Sequence, residues 1–343
     1  MRNAGKRWGS WHALVQPCAL GATAWLLILT GCKPREEASP KAATSTGVVS
    51  DEGSGLVEQP LPLKKSWFAA AGELDVENRY PAVVDVRTHE PLEAGSHGRC
   101  SGVLLGPRLV LTAGHCVCPR RSLGLPGQPG KSVMDGSHCS TNPTVKTLTG
   151  APSTPGSKGL KASVLHTYEA EAVRPHPEFK LLLDEQGHVE SSKADLVLIL
   201  LSKPVEAKFS PPTLADTESS AGDPFVMVSF TYDEVVGGIA DQRRVSRYKV
   251  EKVLAPSSDR VTFEHPGRGL FKGDSGGPCL RDGATGPVLM GVSARGLGEE
   301  PIFTSTYPYR DWLRSEIAAA TAAGRASAQL FQGVNGQGRN DQE

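Results

Sequence analysis

The chain carries, at Gly273-Asp274-Ser275-Gly276-Gly277-Pro278, a serine on a turn made of small residues. A serine that attacks a carbonyl carbon needs a base to take its proton and donors to stabilise the oxyanion. Because glycines carry no side chain, the backbone N–H groups around Ser275 can come close to a substrate carbonyl. Ser275 is therefore the candidate nucleophile, and an ordinary turn serine is the alternative interpretation.

Two further stretches supply the groups that such a serine needs. Leu111-Thr112-Ala113-Gly114-His115-Cys116 places a histidine, the candidate base, just after a short apolar strand. Ala194-Asp195-Leu196-Val197-Leu198-Ile199-Leu200 places an aspartate at the start of a very apolar strand, where a carboxylate can be buried and directed. A packed loop histidine is the alternative for His115, and Asp184 is the nearest substitute for Asp195.

The order of these residues excludes one competing class of hydrolase. The turn around Ser275 also fits G-x-S-x-G, the nucleophile turn of α/β-hydrolases, in which the acid and then the histidine follow the serine. No histidine follows Ser275 in this sequence. The α/β-hydrolase interpretation therefore fails.

Taken together, the motifs resemble the chymotrypsin-like serine peptidases of the trypsin family, with histidine, aspartate and serine in the family's order, over about residues 80–318. Further similarities are Cys100-Ser101-Gly102, His176-Pro177-Glu178-Phe179 and Asp311-Trp312-Leu313. The resemblance implies a mostly β protein of two packed antiparallel six-stranded barrels with a C-terminal helix. It implies a serine endopeptidase that acts on protein or peptide substrates, without a cofactor or a metal ion.

The resemblance also assigns a role to each candidate residue. His115 acts as general base and then as general acid, Asp195 holds its ring, and Ser275 attacks the substrate. The backbone N–H groups of Gly273 and Ser275 form the oxyanion hole. The alternative function is that of a catalytically silent binding or regulatory lipoprotein on the same fold, against which the three intact catalytic residues argue.

The sequence departs from the family where activation is concerned. In the family, cleavage before an Ile-Val-Gly-Gly-type sequence releases an amine that pairs with the aspartate beside the nucleophile, here Asp274. No such sequence precedes Tyr80, and the nearest candidates, Lys64-Lys65 and Trp67-Phe68-Ala69-Ala70-Ala71-Gly72, match poorly. We still expect a cut between about Leu63 and Ala71 to be needed for full activity, while the missing start favours the silent alternative.

The specificity pocket departs from trypsin as well. Gly269 stands six residues before the serine, where trypsins carry an aspartate, so we do not expect a preference for Lys or Arg. Ser293-Ala294-Arg295-Gly296 resembles the family's substrate-binding Ser-Trp-Gly stretch. Arg295 there would narrow the pocket or favour an acidic side chain, and a solvent-facing arginine is the alternative.

The chain has seven cysteines, of which Cys18 and Cys32 lie within the first 32 residues and the other five lie in the predicted domain. Cys100 and Cys116 match the family disulfide that braces the histidine loop. Cys118 and Cys139 are the candidates for a second bridge, which would leave Cys279 free. A zinc site at the Cys-x-Cys motif is weakly supported, because no second pair of ligands stands at metal spacing.

The first 32 residues have the features of an export signal. A basic start and an apolar run of about a dozen residues, too short to span a bilayer comfortably, lead to Leu29-Thr30-Gly31-Cys32. This end resembles the lipobox of bacterial lipoproteins, in which the cysteine is lipidated, and an ordinary secretory signal with a chance cysteine is the alternative. Lys33 follows the cysteine in place of an aspartate, so we expect an exported protein anchored by lipid to a bacterial membrane, by default the outer one.

Composition and patterning give the domain organisation. We predict a flexible tether over residues 33–66, a peptidase domain over 67–320 that ends in a helix at Tyr309–Ala320, and a disordered tail over 321–343. Residues 119–160, rich in Gly, Pro and Ser, indicate a long surface insertion. The equal numbers of basic and acidic residues, 37 each, give no electrostatic footprint for nucleic acid. Short apolar runs predict strands over Ala82–Val86, Ser101–Leu105, Leu109–Thr112, Leu196–Leu201, Phe225–Phe230, Val288–Val292 and Ile302–Thr304.

Overall fold

The computed structural model describes residues 72–75, 77–93, 96–124, 130–149, 164–206, 208–230, 242–254, 259–264, 273–294 and 300–336. Internal contacts separate residues 1–59 from residues 60–343, and all the described residues belong to the second unit. The export signal with Cys32, the tether, Gly269 and Arg295 lie outside the described residues. Among the described residues, no helix is both long and apolar enough to cross a membrane.

Short strands make up most of the described chain. The first nine are β1 (Glu73–Leu74), β2 (Val83–Glu93), β3 (Ser96–Gly106), β4 (Leu109–Thr112), β5 (Arg121–Ser122), β6 (Ser132–Asp135), β7 (Thr144–Thr149), β8 (Val164–Pro175) and β9 (Lys180–Leu183). The others are β10 (Val189–Lys193), β11 (Val197–Leu201), β12 (Thr213–Leu214), β13 (Pro224–Ser229), β14 (Arg244–Val253), β15 (Arg260–Phe263), β16 (Pro278–Arg281), β17 (Val288–Ala294) and β18 (Ile302–Ser305). A 3-10 turn spans Gly114–Cys116, and helix α1 spans Arg310–Gly336.

The first barrel closes through six strands in the order β11-β4-β3-β2-β7-β8. In this barrel β4 is buried along its whole length and pairs with β3 on one side and with β11 on the other. Leu111 lies opposite Val103 on one side and Leu198 on the other, and all three side chains are fully buried. Burial of each such side chain stabilises the folded state by about 1.5–3 kcal/mol. The ends of β4 and β11 are therefore rigid positions from which to present side chains.

The second barrel closes through β14-β13-β16-β17-β18-β15, since β15 also pairs with β14. Four aromatic side chains, Phe225, Tyr248, Phe263 and Phe303, fill its interior, and the rings of Phe225 and Phe263 meet edge to face with centroids 5.3 Å apart. The predicted fold, mostly β with two six-stranded antiparallel barrels and a C-terminal helix, is confirmed.

A third, smaller sheet has the order β10-β9-β6-β5, and we call it the accessory sheet. Its two hairpins, β5–β6 and β9–β10, join through the pairing of β6 with β9. The prediction of a surface insertion over residues 119–160 is therefore wrong in part, because β5 and β6 build this sheet and β7 is a wall of the first barrel. The apolar pattern did not reveal β7, because its buried positions include the threonines Thr144 and Thr147.

The C-terminal helix is longer than the sequence predicted. Leu313 is fully buried in the main core, and Trp312 and Ile317 pack against that core, which explains the start of the helix. The prediction of a disordered tail from residue 321 is wrong for residues 321–336, which continue α1. This stretch is rich in alanine, the residue with the highest helix propensity.

Candidate active site

His115 is presented by the 3-10 turn that follows β4. A disulfide between Cys116 of this turn and Cys100 of β3, with an S–S distance of 2.02 Å, ties the turn to the barrel. Gly114 lies against the Phe179 ring so closely that a Cβ there would be 2.5 Å from it, so no larger residue fits. The turn is therefore fixed from both sides, and the His115 side chain is buried with it.

Asp195 reaches the histidine because of the strand register. Thr112 at the end of β4 pairs with Val197 at the start of β11, so the residues just beyond these two ends lie side by side. The carboxylate Oδ2 of Asp195 lies 2.7 Å from Nδ1 of His115, and its Oδ1 accepts the backbone N–H of His115 at 2.9 Å. A carboxylate partner makes Nδ1 the protonated nitrogen, so Nε2 is left as the acceptor.

Asp184, the substitute considered for Asp195, lies elsewhere. Its carboxylate accepts the backbone N–H of His188 at 2.8 Å and lies 3.2 Å from the Nδ1 atom of the exposed His188 ring. It belongs to the turn between β9 and β10 of the accessory sheet. The structure therefore pairs Asp195, and not Asp184, with His115.

Ser101 of β3 fastens the loop that carries Ser275. The backbone N–H of Ser101 donates to the Ser275 carbonyl at 2.8 Å, and its hydroxyl donates to the Gly273 carbonyl at 2.7 Å. The same hydroxyl oxygen accepts the N–H of Phe230, just after β13, at 2.8 Å. One buried serine of the first barrel thus joins the nucleophile loop to a strand of the second barrel.

Gly276 brings this loop against the stretch that leads to His115. It has a φ of +75°, and a Cβ at this position would collide with the Thr112 hydroxyl and lie 3.1 Å from the N atom of Ala113. Thr112 and Ala113 immediately precede the histidine turn, so Ser275, which is partly exposed, lies on a loop packed beside that turn. Among the described residues, no backbone carbonyl accepts the N–H of Gly273 or Ser275.

The side chain of Asp274 is buried, whereas the next residue, Ser275, is partly exposed. Oδ1 of Asp274 accepts a hydrogen bond from the Ser229 hydroxyl at 2.6 Å, and both side chains are buried. Near Asp274 lies the buried Cys279, the free cysteine of the described part of the chain. Burial, with the nearby Asp274 carboxylate as the second cause, raises the pKa of the Cys279 thiol well above its ordinary value, so this thiol stays protonated.

Of the predicted pocket residues, the structure describes Ser293. It lies on β17, where its carbonyl accepts the N–H of Gly276 at 2.8 Å and its own N–H donates to the Gly277 carbonyl at 2.8 Å. Ser293 therefore binds the nucleophile loop through its own backbone. Its buried hydroxyl has no hydrogen-bond partner within the described part of the chain.

The geometry around His115 brings together potential ligand atoms but does not suit a metal ion. Ligand atoms of Cys100, His115 and Cys116 lie within 4.8 Å of one another. Both sulfurs are already joined in a disulfide, and only a thiolate serves as a metal ligand. Cys118 of the Cys-x-Cys motif is bonded to Cys139 as well. These residues do not fit a zinc site.

Asp259, which the sequence did not predict, contacts the residue before Asp195. Its Oδ2 accepts the backbone N–H of Ala194 at 2.6 Å and the hydroxyl of Tyr309 at 2.8 Å. Asp259 lies 65 residues after Ala194 in the sequence and belongs to no motif. No local signal in the sequence could have found it.

The family model described as Trypsin matches residues 72–313. The chain belongs to the trypsin family. This trypsin-family chain is 25% identical over 241 residues to the thrombin-like enzyme acutin of Deinagkistrodon acutus, across 65% of the chain and 87% of that protein. It is 25% identical over 261 residues to kallikrein-2 of Homo sapiens, across 65% and 83%. Snake venom serine protease 3 of Protobothrops flavoviridis is 24% identical over 280 residues, across 77% and 95%.

Proposed function

We propose that this trypsin-family chain is a serine endopeptidase that works through His115, Asp195 and Ser275. The observation that carries the proposal is the buried contact between Nδ1 of His115 and the Asp195 carboxylate at 2.7 Å, beside the loop of Ser275. This contact leaves Nε2 of the histidine as the base, which is the state that activates a serine hydroxyl.

The reaction follows from these positions. Ser275 Oγ attacks the carbonyl carbon while its proton passes to Nε2 of His115, and the resulting imidazolium is stabilised by Asp195. The oxyanion accepts hydrogen bonds from the N–H groups of Gly273 and Ser275. His115 then gives its proton to the leaving amine, and an acyl group remains on Ser275. Water, deprotonated by the same histidine, hydrolyses this ester and restores the serine.

A fluorophosphonate probe tests the function directly. We expect the purified chain to be labelled at Ser275, and Ser275→Ala or His115→Ala to lower peptidase turnover by about a millionfold, the loss found when such residues are removed from a serine protease. The exposed Ser220→Ala is the matched control and should leave turnover unchanged. Near wild-type cleavage by Ser275→Ala would refute the assignment of the nucleophile. A folded chain that neither reacts nor cleaves would support the silent lipoprotein instead.

We propose that the specificity pocket does not select Lys or Arg, because Gly269 replaces the trypsin aspartate. An arginine facing the pocket at position 295 would favour acidic side chains through its charge. Cleavage of a peptide library by the wild type and by Arg295→Ala measures this preference. An unchanged profile in the variant would mean that Arg295 faces solvent.

We propose that the chain is exported and anchored by lipid through Cys32, on the basis of the sequence that ends in Leu29-Thr30-Gly31-Cys32. We expect Cys32→Ser to convert a detergent-extracted protein into a soluble or unprocessed one. Metabolic labelling with a fatty-acid analogue and N-terminal sequencing measure the outcome. Freely soluble wild-type protein with its N-terminus elsewhere would contradict the anchor.

A further inference from the structure

Ala194, the residue before Asp195, has a strained backbone. Its φ is +49°, in the left-handed region, and its side chain is fully buried. A residue with a Cβ costs about 1–2 kcal/mol in that region. The other non-glycine residue with positive φ in the described chain is Asn78, a type that tolerates this conformation better. Something in the surroundings must therefore hold Ala194 in place.

Two hydrogen bonds of 2.6 Å fix the peptide groups on either side of Ala194. Its N–H donates to Oδ2 of Asp259, and its carbonyl accepts the N–H of Leu196, across Asp195. Rotation of Ala194 towards a relaxed conformation would break the first bond and swing the Asp195 side chain. The direction of the Asp195 carboxylate thus depends on Asp259.

Asp259 is itself held firmly. It precedes β15 of the second barrel, its carbonyl accepts the N–H of Ser305 at 2.6 Å, and its Oδ2 accepts the Tyr309 hydroxyl at 2.8 Å. Burial above all, and then the Asp259 carboxylate, raises the pKa of Tyr309, so its hydroxyl stays a donor. Asp259 is only 5% exposed, so its carboxylate cannot turn towards solvent without breaking these hydrogen bonds.

We infer that Asp259 is a positioning residue: its carboxylate holds Ala194 in the left-handed conformation and thereby aims Asp195 at Nδ1 of His115. The second barrel thus sets the orientation of a carboxylate that the first barrel carries. The inference rests on the proposed function for its kinetic consequence, but its geometric part concerns the His115–Asp195 contact alone.

A glycine rescue tests this role in the full-length chain. We expect Asp259→Ala to lower kcat by about 100-fold with little change in KM, since a displacement of about 1 Å costs that much. Asp259→Asn should keep most of the activity, because its amide oxygen still accepts the Ala194 N–H. Glycine takes the left-handed conformation at no steric cost. The double variant Ala194→Gly/Asp259→Ala should therefore recover at least 10-fold over Asp259→Ala.

The proton NMR signal of the His115 Nδ1–H gives a readout that does not need catalysis. A short bond to Asp195 moves this signal strongly downfield, and we expect Asp259→Ala to lose it and the double variant to regain it. Asp75→Ala, which breaks a buried ion pair with Arg243 that involves neither Ala194 nor Asp259, is the control for lost stability and should retain the signal. Asp259→Ser, too short to reach Ala194, repeats the test should Asp259→Ala not fold.

Two results would overturn the inference: an unchanged signal and kcat in folded Asp259→Ala, or a double variant no better than Asp259→Ala. A chain without peptidase activity whose NMR signal still follows Asp259 would refute the proposed function and leave the positioning role intact.

Discussion

Asp274 lies between Gly273 and Ser275, whose backbone N–H groups are the proposed oxyanion donors. We infer that its position affects the orientation of both N–H groups, and it accepts a hydrogen bond from the buried Ser229 hydroxyl at 2.6 Å. A buried carboxylate is costly unless hydrogen-bonded, so the groups that bind it decide its position. The family resemblance predicts a released amine as one such group, and Ser229 is another.

Substitutions at the two ends of this contact should lower activity to different extents. We expect Asp274→Asn to lower kcat/KM by about 100-fold, the loss for one badly aimed oxyanion donor. Ser229→Ala should cost about 10-fold, because a hydrogen bond to a charged group contributes about 1.5–3 kcal/mol. Steady-state kinetics of the mature form measure both, with Ser220→Ala as the control. Equal activity of Ser229→Ala and wild type would exclude Ser229 from this role.

The pH profile separates the amine from the hydroxyl. An α-amine titrates near about pH 8, and a carboxylate partner raises that pKa. Activity that depends on the amine is therefore complete at lower pH and lost as the pH rises through the raised value, whereas a serine hydroxyl does not titrate there. We expect this alkaline loss, together with a new N-terminus between about Leu63 and Ala71. Full burst activity from an uncut chain would contradict the expected cut and would mean that groups of the uncut chain, Ser229 among them, hold Asp274 in place.

Residues that belong to short motifs could be predicted from the sequence, and their distant partners could not. The histidine and serine motifs are local patterns, and the apolar run after Asp195 marks a buried strand. Ser229 and Asp259 become partners of these residues only through the packing of the second barrel, which no local pattern records. β8 was not predicted for a different reason: Tyr168 is its one buried residue, so no apolar run marks this strand.

The accessory sheet is joined in sequence to both residues of the histidine–aspartate pair. Its β5–β6 hairpin begins shortly after His115, and its β9–β10 hairpin ends just before Ala194. Buried side chains of β6 and β9, among them Met134 and Leu181, hold the two hairpins together. The disulfide between Cys118 and Cys139 closes the first hairpin at its base. The sheet therefore supports both residues of the histidine–aspartate pair.

Removing this disulfide should lower stability more than activity. A bridge with a sequence separation of 21 residues contributes about 3 kcal/mol in the chain-entropy model. For a domain of this size we expect Cys118→Ser/Cys139→Ser to lower Tm by about 6–12 °C, while kcat/KM changes little because the β6–β9 pairing remains. Thermal unfolding by circular dichroism measures the shift. Exposed Ser122→Ala in the same hairpin is the control, and an unchanged Tm in the double variant would show that the bridge is dispensable.

At the scale of the whole molecule, the segment before β2 joins the two barrels. β1 pairs with β14 of the second barrel, and Asp75 then caps the backbone N–H groups of Arg79 and Tyr80 at 2.8 and 3.1 Å. Asp75 also forms an ion pair with Arg243, 3.4 Å between the nearest charged atoms, with both side chains fully buried. Burial lowers the pKa of Arg243 to about 10, which reflects the cost of keeping this charge away from water.

Breaking this pair from one side should destabilise the fold strongly. We expect Asp75→Ala to lower the free energy of unfolding by about 3–5 kcal/mol, because it leaves the Arg243 charge buried without its carboxylate. The double variant Asp75→Ala/Arg243→Met should be less destabilised than the sum of the single ones, since it also removes the stranded charge. Urea unfolding of the four proteins gives this coupling. Strict additivity would mean that the two charges do not interact.

The hydrogen bonds from Ser101 to Gly273 and from Ala194 to Asp259 connect two barrels that are each continuous in sequence, residues 83–201 and 224–305. During folding, each barrel can therefore close from its own segment before the two dock, as contiguous units generally do. The nucleophile loop and the Asp195 carboxylate acquire their cross-barrel partners only in that last step. In a refolding experiment, strand content should recover first, and reactivity towards an active-site probe should follow in a slower phase, limited by docking.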